Sequence, residues 1–223
     1  MATLVLVRHG QASAGAADYD RLSAVGEAQA RLLGEYWGLR GVGFDAVFTG
    51  PRVRHVRTTE LARGGAASSG VRWPDPTVID DLDEMRPEGL LRKLPELYES
   101  HAALRAAGSP RRTFEELLGL WVRGEVDAPD VESWPAFRER VARGLQAIKL
   151  AGSGRRIAAF TSGGPITAAI QIALGSPSEA TFELLRVIRN ASVSEFLYSG
   201  ERFGLSSFNA VPHLEEAAHL TLY

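Results

Sequence analysis

Three short segments carry side chains suited to handling an anionic ester. The first is Arg8-His9-Gly10, directly after the apolar run Leu4 to Val7. A neutral imidazole placed there can act as nucleophile or general base. The second, Thr49-Gly50-Pro51-Arg52-Val53-Arg54, follows Ala46-Val47-Phe48 and puts Arg54 about one turn into a helix opened by Pro51. Guanidinium groups at Arg8 and Arg54 can clamp an anion through paired hydrogen bonds, whereas Arg52 and Arg57 are expected on a solvated helix face. The third, Thr161-Ser162-Gly163-Gly164-Pro165, lies between the run Ile157 to Phe160 and the apolar helix Ile166 to Leu174. Hydroxyls and bare amides at a helix start have the composition of a phosphate nest. An acid source follows Thr77-Val78-Ile79 in Asp80-Asp81-Leu82-Asp83-Glu84, where at least one carboxylate is expected to face the crevice and the others solvent. A histidine, two arginines, an amide nest and a proton donor are the parts that phosphoryl transfer through histidine requires.

These parts share one place only if the elements carrying them lie side by side. Each apolar run is too short for a helix, apolar on both faces and rich in β-branched residues, as a buried parallel strand is. Between them Val25, Ala28, Leu32, Tyr36 and Leu39 recur at helical spacing behind Ser23, and Trp134, Phe137, Val141, Leu145 and Ile148 do so behind Ser133. Ser176-Pro177-Ser178-Glu179 has the form of a capping box with proline at the first helical position. Strands alternating with helices predict an α/β fold with a mostly parallel sheet, whose ligand crevice lies beyond the carboxyl ends of the strands. Val193 to Tyr198 and Phe203 to Phe208 flank Ser199-Gly200-Glu201-Arg202 and predict a hairpin closing one sheet edge. From about Pro87 to Asp130 two helical patterns replace the strand signal. They predict a helical insertion in a single domain over 1–223, placed to cover the crevice and choose the substrate.

Composition narrows the classes. The 223 residues hold 27 acidic and 25 basic side chains, a net charge of −2, which gives no general attraction to nucleic acid or anionic membrane. The chain has no cysteine, so disulfides, thiol nucleophiles and Cys-ligated metal or iron–sulfur centres are excluded. No basic leader precedes the first apolar run and no run reaches the roughly 18 residues of a membrane span; a cytoplasmic protein is expected. H-E-x-x-H, P-loop and G-x-G-x-x-G patterns are absent.

The chain resembles the histidine phosphatase superfamily, the phosphoglycerate-mutase-like group, over nearly its whole length. The resemblance rests on Leu6-Val7-Arg8-His9-Gly10-Gln11, on Leu22-Ser23 with Gly26, Gln29 and Ala30, on Pro51 with Arg54 and Thr58, and on Leu82-Asp83-Glu84. Glu132-Ser133, Phe160 to Gly164 and Asn190-Ala191-Ser192-Val193 add to it. It implies a three-layer fold with a mostly parallel central sheet, helices on both faces and a helical cap insertion at about 87–130. It further implies that His9 accepts the phosphoryl group, that Glu84 donates the proton, that Arg8, Arg54, Gln11, Ser162 and Gly163 bind phosphate, and that neither metal nor organic cofactor is needed. The expected partner is a small phosphomonoester or another phosphorylated ligand.

Two positions depart from the family. Relatives usually carry a second histidine where Ser162 stands, and often an asparagine near Gly15. A serine keeps one donor but no positive charge, a loss on the order of 3 kcal/mol in transition-state stabilisation unless compensated. Of the other histidines, His213 after the last strand is the candidate substitute. His101 lies in the insertion, His219 in the tail, and His55, next to Arg54 on a helix, is expected to point elsewhere. Besides a phosphatase, a phospholigand-binding module without turnover and a bisphosphate-primed mutase are compatible with these residues. A serine hydrolase at Ser162 is disfavoured, because Phe160 replaces the required glycine and no Asp follows Asp130.

Overall fold

Strand β1 (Ala2–Arg8) sits in the middle of a six-stranded sheet of order β3-β2-β4-β1-β5-β6. The structure, a computed structural model, describes residues 1–13, 20–126, 130–151 and 155–222; Gly15, about which the sequence raised a question, lies outside them. Strands β2 (Ala46–Thr49), β3 (Thr77–Val78) and β4 (Arg156–Thr161) run parallel to β1 on one side. On the other, the hairpin β5 (Val193–Ser199) and β6 (Arg202–Ala210) adds an antiparallel edge where the sequence predicted one.

Side-chain alternation along the two central strands divides the core into two layers. Leu4, Leu6, Ile157 and Ala159 face one side, packing with α6 (Trp134–Ala151) and α7 (Gly163–Leu174). Val5, Val7, Ala158 and Phe160 face the other, packing with α1 (Ala24–Leu39) and α2 (Val53–Ser68). Helices therefore cover both faces, and the strands read as unbroken apolar runs because neither face meets water. Residues 80–82 form a 3-10 turn, after which α3 (Pro87–Ser100), α4 (Ala102–Ala106) and α5 (Pro110–Arg123) occupy the stretch with the helical insertion signal. Helix α8 (Ser178–Leu185) precedes the hairpin. Among the described residues no helix is long and apolar enough to cross a membrane.

Three local expectations are corrected. The predicted stripe of α1 is not its buried face: Leu39 is exposed, and the helix buries Gly26, Gln29, Ala30, Leu33, Gly34 and Trp37 instead. The reason is the close crossing of α1 and α2, where a Cβ on Gly34 would stand 1.9 Å from the carbonyl oxygen of Ala62. Small residues let the two backbones touch, so the buried face is the one that carries the glycines, with Leu33 and Trp37, rather than the predicted stripe. Helix α2 begins at Val53, not Pro51, which puts Arg54 in its first turn. The capping box before α8 does not close, because the Ser176 hydroxyl bonds the Thr181 hydroxyl at 2.7 Å rather than a backbone amide.

Candidate active site

Parallel order brings the carboxyl ends of β1, β2, β3 and β4 to one edge, and backbone hydrogen bonds stitch their exits together. His9 N–H donates to Thr161 O, Gly50 N–H to Phe160 O and Ile79 N–H to Thr49 O, all at 2.8–2.9 Å. Antiparallel β5 starts at the same edge, so Arg8 N–H reaches Ser192 O and Ala191 N–H reaches His9 O. Ala191 adopts φ 55°, a left-handed conformation costly for a residue with a Cβ. The carbonyl of His9 is thus held by a backbone strained to meet it.

His9 is buried and its ring is fixed at both nitrogens. Nδ1 lies 2.7 Å from the Gly10 carbonyl, an acceptor only, so Nδ1 carries the proton. Nε2 is left with its lone pair and accepts from Arg54 Nε at 3.2 Å. Burial first, then the charges of Arg8 and Arg54 and the neighbouring His55, hold the His9 pKa well below its ordinary value, so the ring is neutral at pH 7. Arg54 is in turn anchored by Asp20, whose carboxylate accepts from Arg54 Nη1 at 2.7 Å and from the Val53 amide at 2.9 Å. Thr58 Oγ1 accepts from the Gly10 amide and donates to Arg54 O, tying the strand end to the first turn of α2.

Glu84 stands at the start of α7. One oxygen accepts from the Gly164 amide at 3.1 Å and the other from Met85 N–H at 2.9 Å. A Cβ at position 164 would lie 2.1 Å from Glu84 Oε1, so a larger residue there would push this carboxylate from its place. The Gly164 and Met85 amides thus hold the Glu84 side chain at the mouth of the helix. Ser162 occupies the N-cap position of α7, yet its hydroxyl does not cap the helix. It shares a 2.6 Å hydrogen bond with Nε2 of His55, whose ring centroid is 5.6 Å from that of His9. The expectation that His55 points elsewhere is therefore wrong: α2 packs against the sheet through the face that carries His55, Thr58, Thr59 and Ala62.

A model of the histidine phosphatase superfamily (branch 1) matches residues 4–211. The chain belongs to the histidine phosphatase superfamily. A 2,3-bisphosphoglycerate-dependent phosphoglycerate mutase from Caulobacter vibrioides is 44% identical over 78 residues, a match spanning 32% of each chain. Among solved structures, phosphoglycerate mutase from Bacillus anthracis has a TM-score of 0.68 at 22% identity, covering 96% of this chain and 95% of that one. A mutant phosphoserine phosphatase from Entamoeba histolytica, solved with phosphoserine, has a TM-score of 0.66 at 17% identity, covering 96% and 100%. The fold is phosphoglycerate-mutase-like.

Other expected residues of this superfamily member are placed less simply. Arg8 directs Nη1 to the carbonyl oxygens of Ile188 and Leu222, and its Nε lies 3.8 Å from where a Cβ on Gly163 would be. The side-chain oxygen of Gln11 accepts from Ser23 Oγ and its backbone N–H donates to Gln29 Oε1, so it braces the loop against α1. His213 is not with the group. It packs 6.3 Å from the ring of Tyr36 on α1, neither nitrogen hydrogen-bonded, and burial lowers its pKa to about 4. Arg52 does not lie on a solvated helix face as expected: just before α2 it pairs with Asp83 at 2.5 Å, both largely buried, and Asp83 also accepts from the Glu84 amide.

Asp20 and Arg140 carried no signal in the sequence. Arg140 on α6 binds both oxygens of Glu132 and the carbonyls of Asp81 and Asp83, fastening the turn that presents Glu84. Beside this edge, between the 3-10 turn, α3 and the start of α6, opens a cleft of about 1120 Å³. Its described lining carries seven carboxylates, among them Asp20, Asp80, Glu88 and Asp130, against the four guanidiniums of Arg52, Arg86, Arg92 and Arg140. Among the described residues no cluster of three histidines or carboxylates has the spacing to hold a metal ion.

Proposed function

We propose that the protein is a phosphomonoester hydrolase that works through a phosphohistidine on His9, without metal or cofactor. The state of His9 carries this reading. A neutral ring with its proton committed to Gly10 O presents Nε2 as the only nucleophilic nitrogen, and Arg54 beside it is placed to take charge from the phosphoryl oxygens. In the first step Nε2 attacks phosphorus, the ester oxygen leaves, and Glu84 protonates it. In the second, water attacks the phosphohistidine, Glu84 takes the proton, and inorganic phosphate departs. Arg8, Ser162 and the Gly163 amide complete the phosphate cradle.

The relative from Caulobacter favours a mutase as the alternative. A bisphosphate primer would bring a second phosphate into a cleft whose lining has more carboxylates than guanidiniums, which speaks for a hydrolase acting on an ester with an uncharged or cationic remainder.

The test is hydrolysis of p-nitrophenyl phosphate in metal chelator by the protein and by His9→Ala. Chelator-resistant turnover that falls to background in His9→Ala is expected. Turnover that survives in His9→Ala would remove the mechanism, and phospholigand binding with no turnover in either protein would make the chain a binding module.

A further inference from the structure

We infer that His55 and Ser162 act as one unit, in which His55 is a positioning residue that orients the Ser162 hydroxyl as a hydrogen-bond donor to the phosphoryl group on His9. The inference rests on the phosphohistidine mechanism proposed above. Strand pairing places Ser162 at the site: Arg8 is opposite Thr161, so His9 and Ser162 leave neighbouring parallel strands side by side. A serine at a helix N-cap ordinarily bonds an amide of the first turn. Ser162 gives that up for His55, although no other polar side chain is hydrogen-bonded to the ring. Space for the ring is reserved by Gly50, where a Cβ would stand 2.4 Å from His55 Nδ1.

The sense of the shared hydrogen bond decides what the serine can do. His55 is fully buried between Arg54 and Arg52 on its own helix and His9 across from it, surroundings that disfavour a cation, so the free ring has one N–H. With that proton on Nε2, the ring donates to Ser162 Oγ and the hydroxyl proton is available for a phosphoryl oxygen. With it on Nδ1, the hydroxyl proton is consumed by the ring, and a buried N–H is left at an atom that has no hydrogen-bond partner. Buried donors without acceptors are the rarer and costlier arrangement, so the first sense is preferred. It also removes Ser162 as a nucleophile, because a ring protonated at Nε2 cannot take the serine proton and no carboxylate stands at Nδ1 to reverse the tautomer. The serine and the histidine, 107 positions apart in the chain, together supply the donor that a single side chain would otherwise provide.

The experiment compares kcat and KM for p-nitrophenyl phosphate in wild type, Ser162→Ala, His55→Leu, His55→Gln and the double variant His55→Leu/Ser162→Ala, with melting curves for each. A donor used in the transition state is worth about 10²–10³-fold in kcat. Ser162→Ala and His55→Leu are each expected to lose on that order with KM little changed, and the double variant to be no worse than the poorer single one. His55→Gln, whose amide N–H reaches the same place, is expected to recover most of the loss. If His55→Leu fails to fold, His55→Asn, whose amide is one methylene short of the Nε2 position, takes its place as the single variant and in the double. Full kcat in Ser162→Ala, or losses that multiply in the double variant, would overturn the inference while leaving the phosphohistidine intact. A wild type without His9-dependent turnover defeats the mechanism and the inference with it.

Discussion

The sheet edge and the cleft beside it are built on opposite principles. At the edge, His9, Arg54, Thr58, Ser162 and His55 are buried, and each is hydrogen-bonded to another residue of the edge. At the outer wall of the cleft, Arg92 and Asp130 pair directly at 2.8 Å with more than half of each side chain exposed. Breaking any of these buried hydrogen bonds would leave a polar group without water, so the side chains of the edge are held in place. Exposed ion pairs contribute little and rearrange easily. On the mechanism proposed above, the chemistry would sit on a rigid frame, beside a surface whose exposed pairs can rearrange around the rest of a substrate.

The contrast can be broken or sharpened by substitution. Glu84→Gln should have the largest effect: a loss of about 10²–10⁴-fold in kcat with an alkyl phosphate, and a smaller one with p-nitrophenyl phosphate, whose leaving group hardly needs a proton. Equal losses on both esters in steady-state kinetics would place Glu84 outside acid catalysis.

Acid should act on a buried histidine that lies outside the edge. His213, outside the edge, has its pKa lowered by burial to about 4 from an ordinary 6.5. The unfolded chain takes up a proton at His213 below pH 6.5 and the folded chain does not until about pH 4. Stability is therefore lost as pH falls through that window and is unaffected by His213 above it. His213→Leu should gain up to about 3 kcal/mol relative to wild type on going from pH 7 to pH 4, read by urea denaturation at both values. No pH-dependent difference would mean that His213 titrates alike in the folded and unfolded chain.

The smallest effect is expected in the cleft. Arg92→Ala should leave both the melting temperature and kcat with p-nitrophenyl phosphate unchanged, shifting only KM for larger esters by a few fold. A fall in kcat with the small ester would show that the cleft is coupled to the edge after all.

Much of this division was legible in the chain. The apolar runs ending in Arg8-His9 and Thr161-Ser162 announced buried parallel strands, and parallel strands bring their carboxyl ends together. The partners of those ends were not legible. Asp20 meets Arg54 across 34 positions and Arg140 meets the Glu84 turn across 57, contacts that no periodicity encodes. His55 was misjudged for a related reason: adjacent residues on a helix point about 100° apart, but both directions can be useful when a sheet and a loop wall the helix on two sides.

By itself the sequence determined the alternation of strands and helices, the placement of His9, Arg54 and Glu84 just beyond strand ends, and membership in a superfamily, because hydrophobic period and short motifs are local properties. Tertiary structure alone decided which face of α1 is buried, since backbone contact at Gly34 outweighs the leucine stripe. It also decided which histidine joins His9. In the sequence nothing separates His213 from His55 as a partner, and only the packing of α2 against β4 puts His55 within 2.6 Å of Ser162 while His213 meets Tyr36. Side-chain partnership across the chain depends on where backbones approach one another, and that is set by the packing of whole elements.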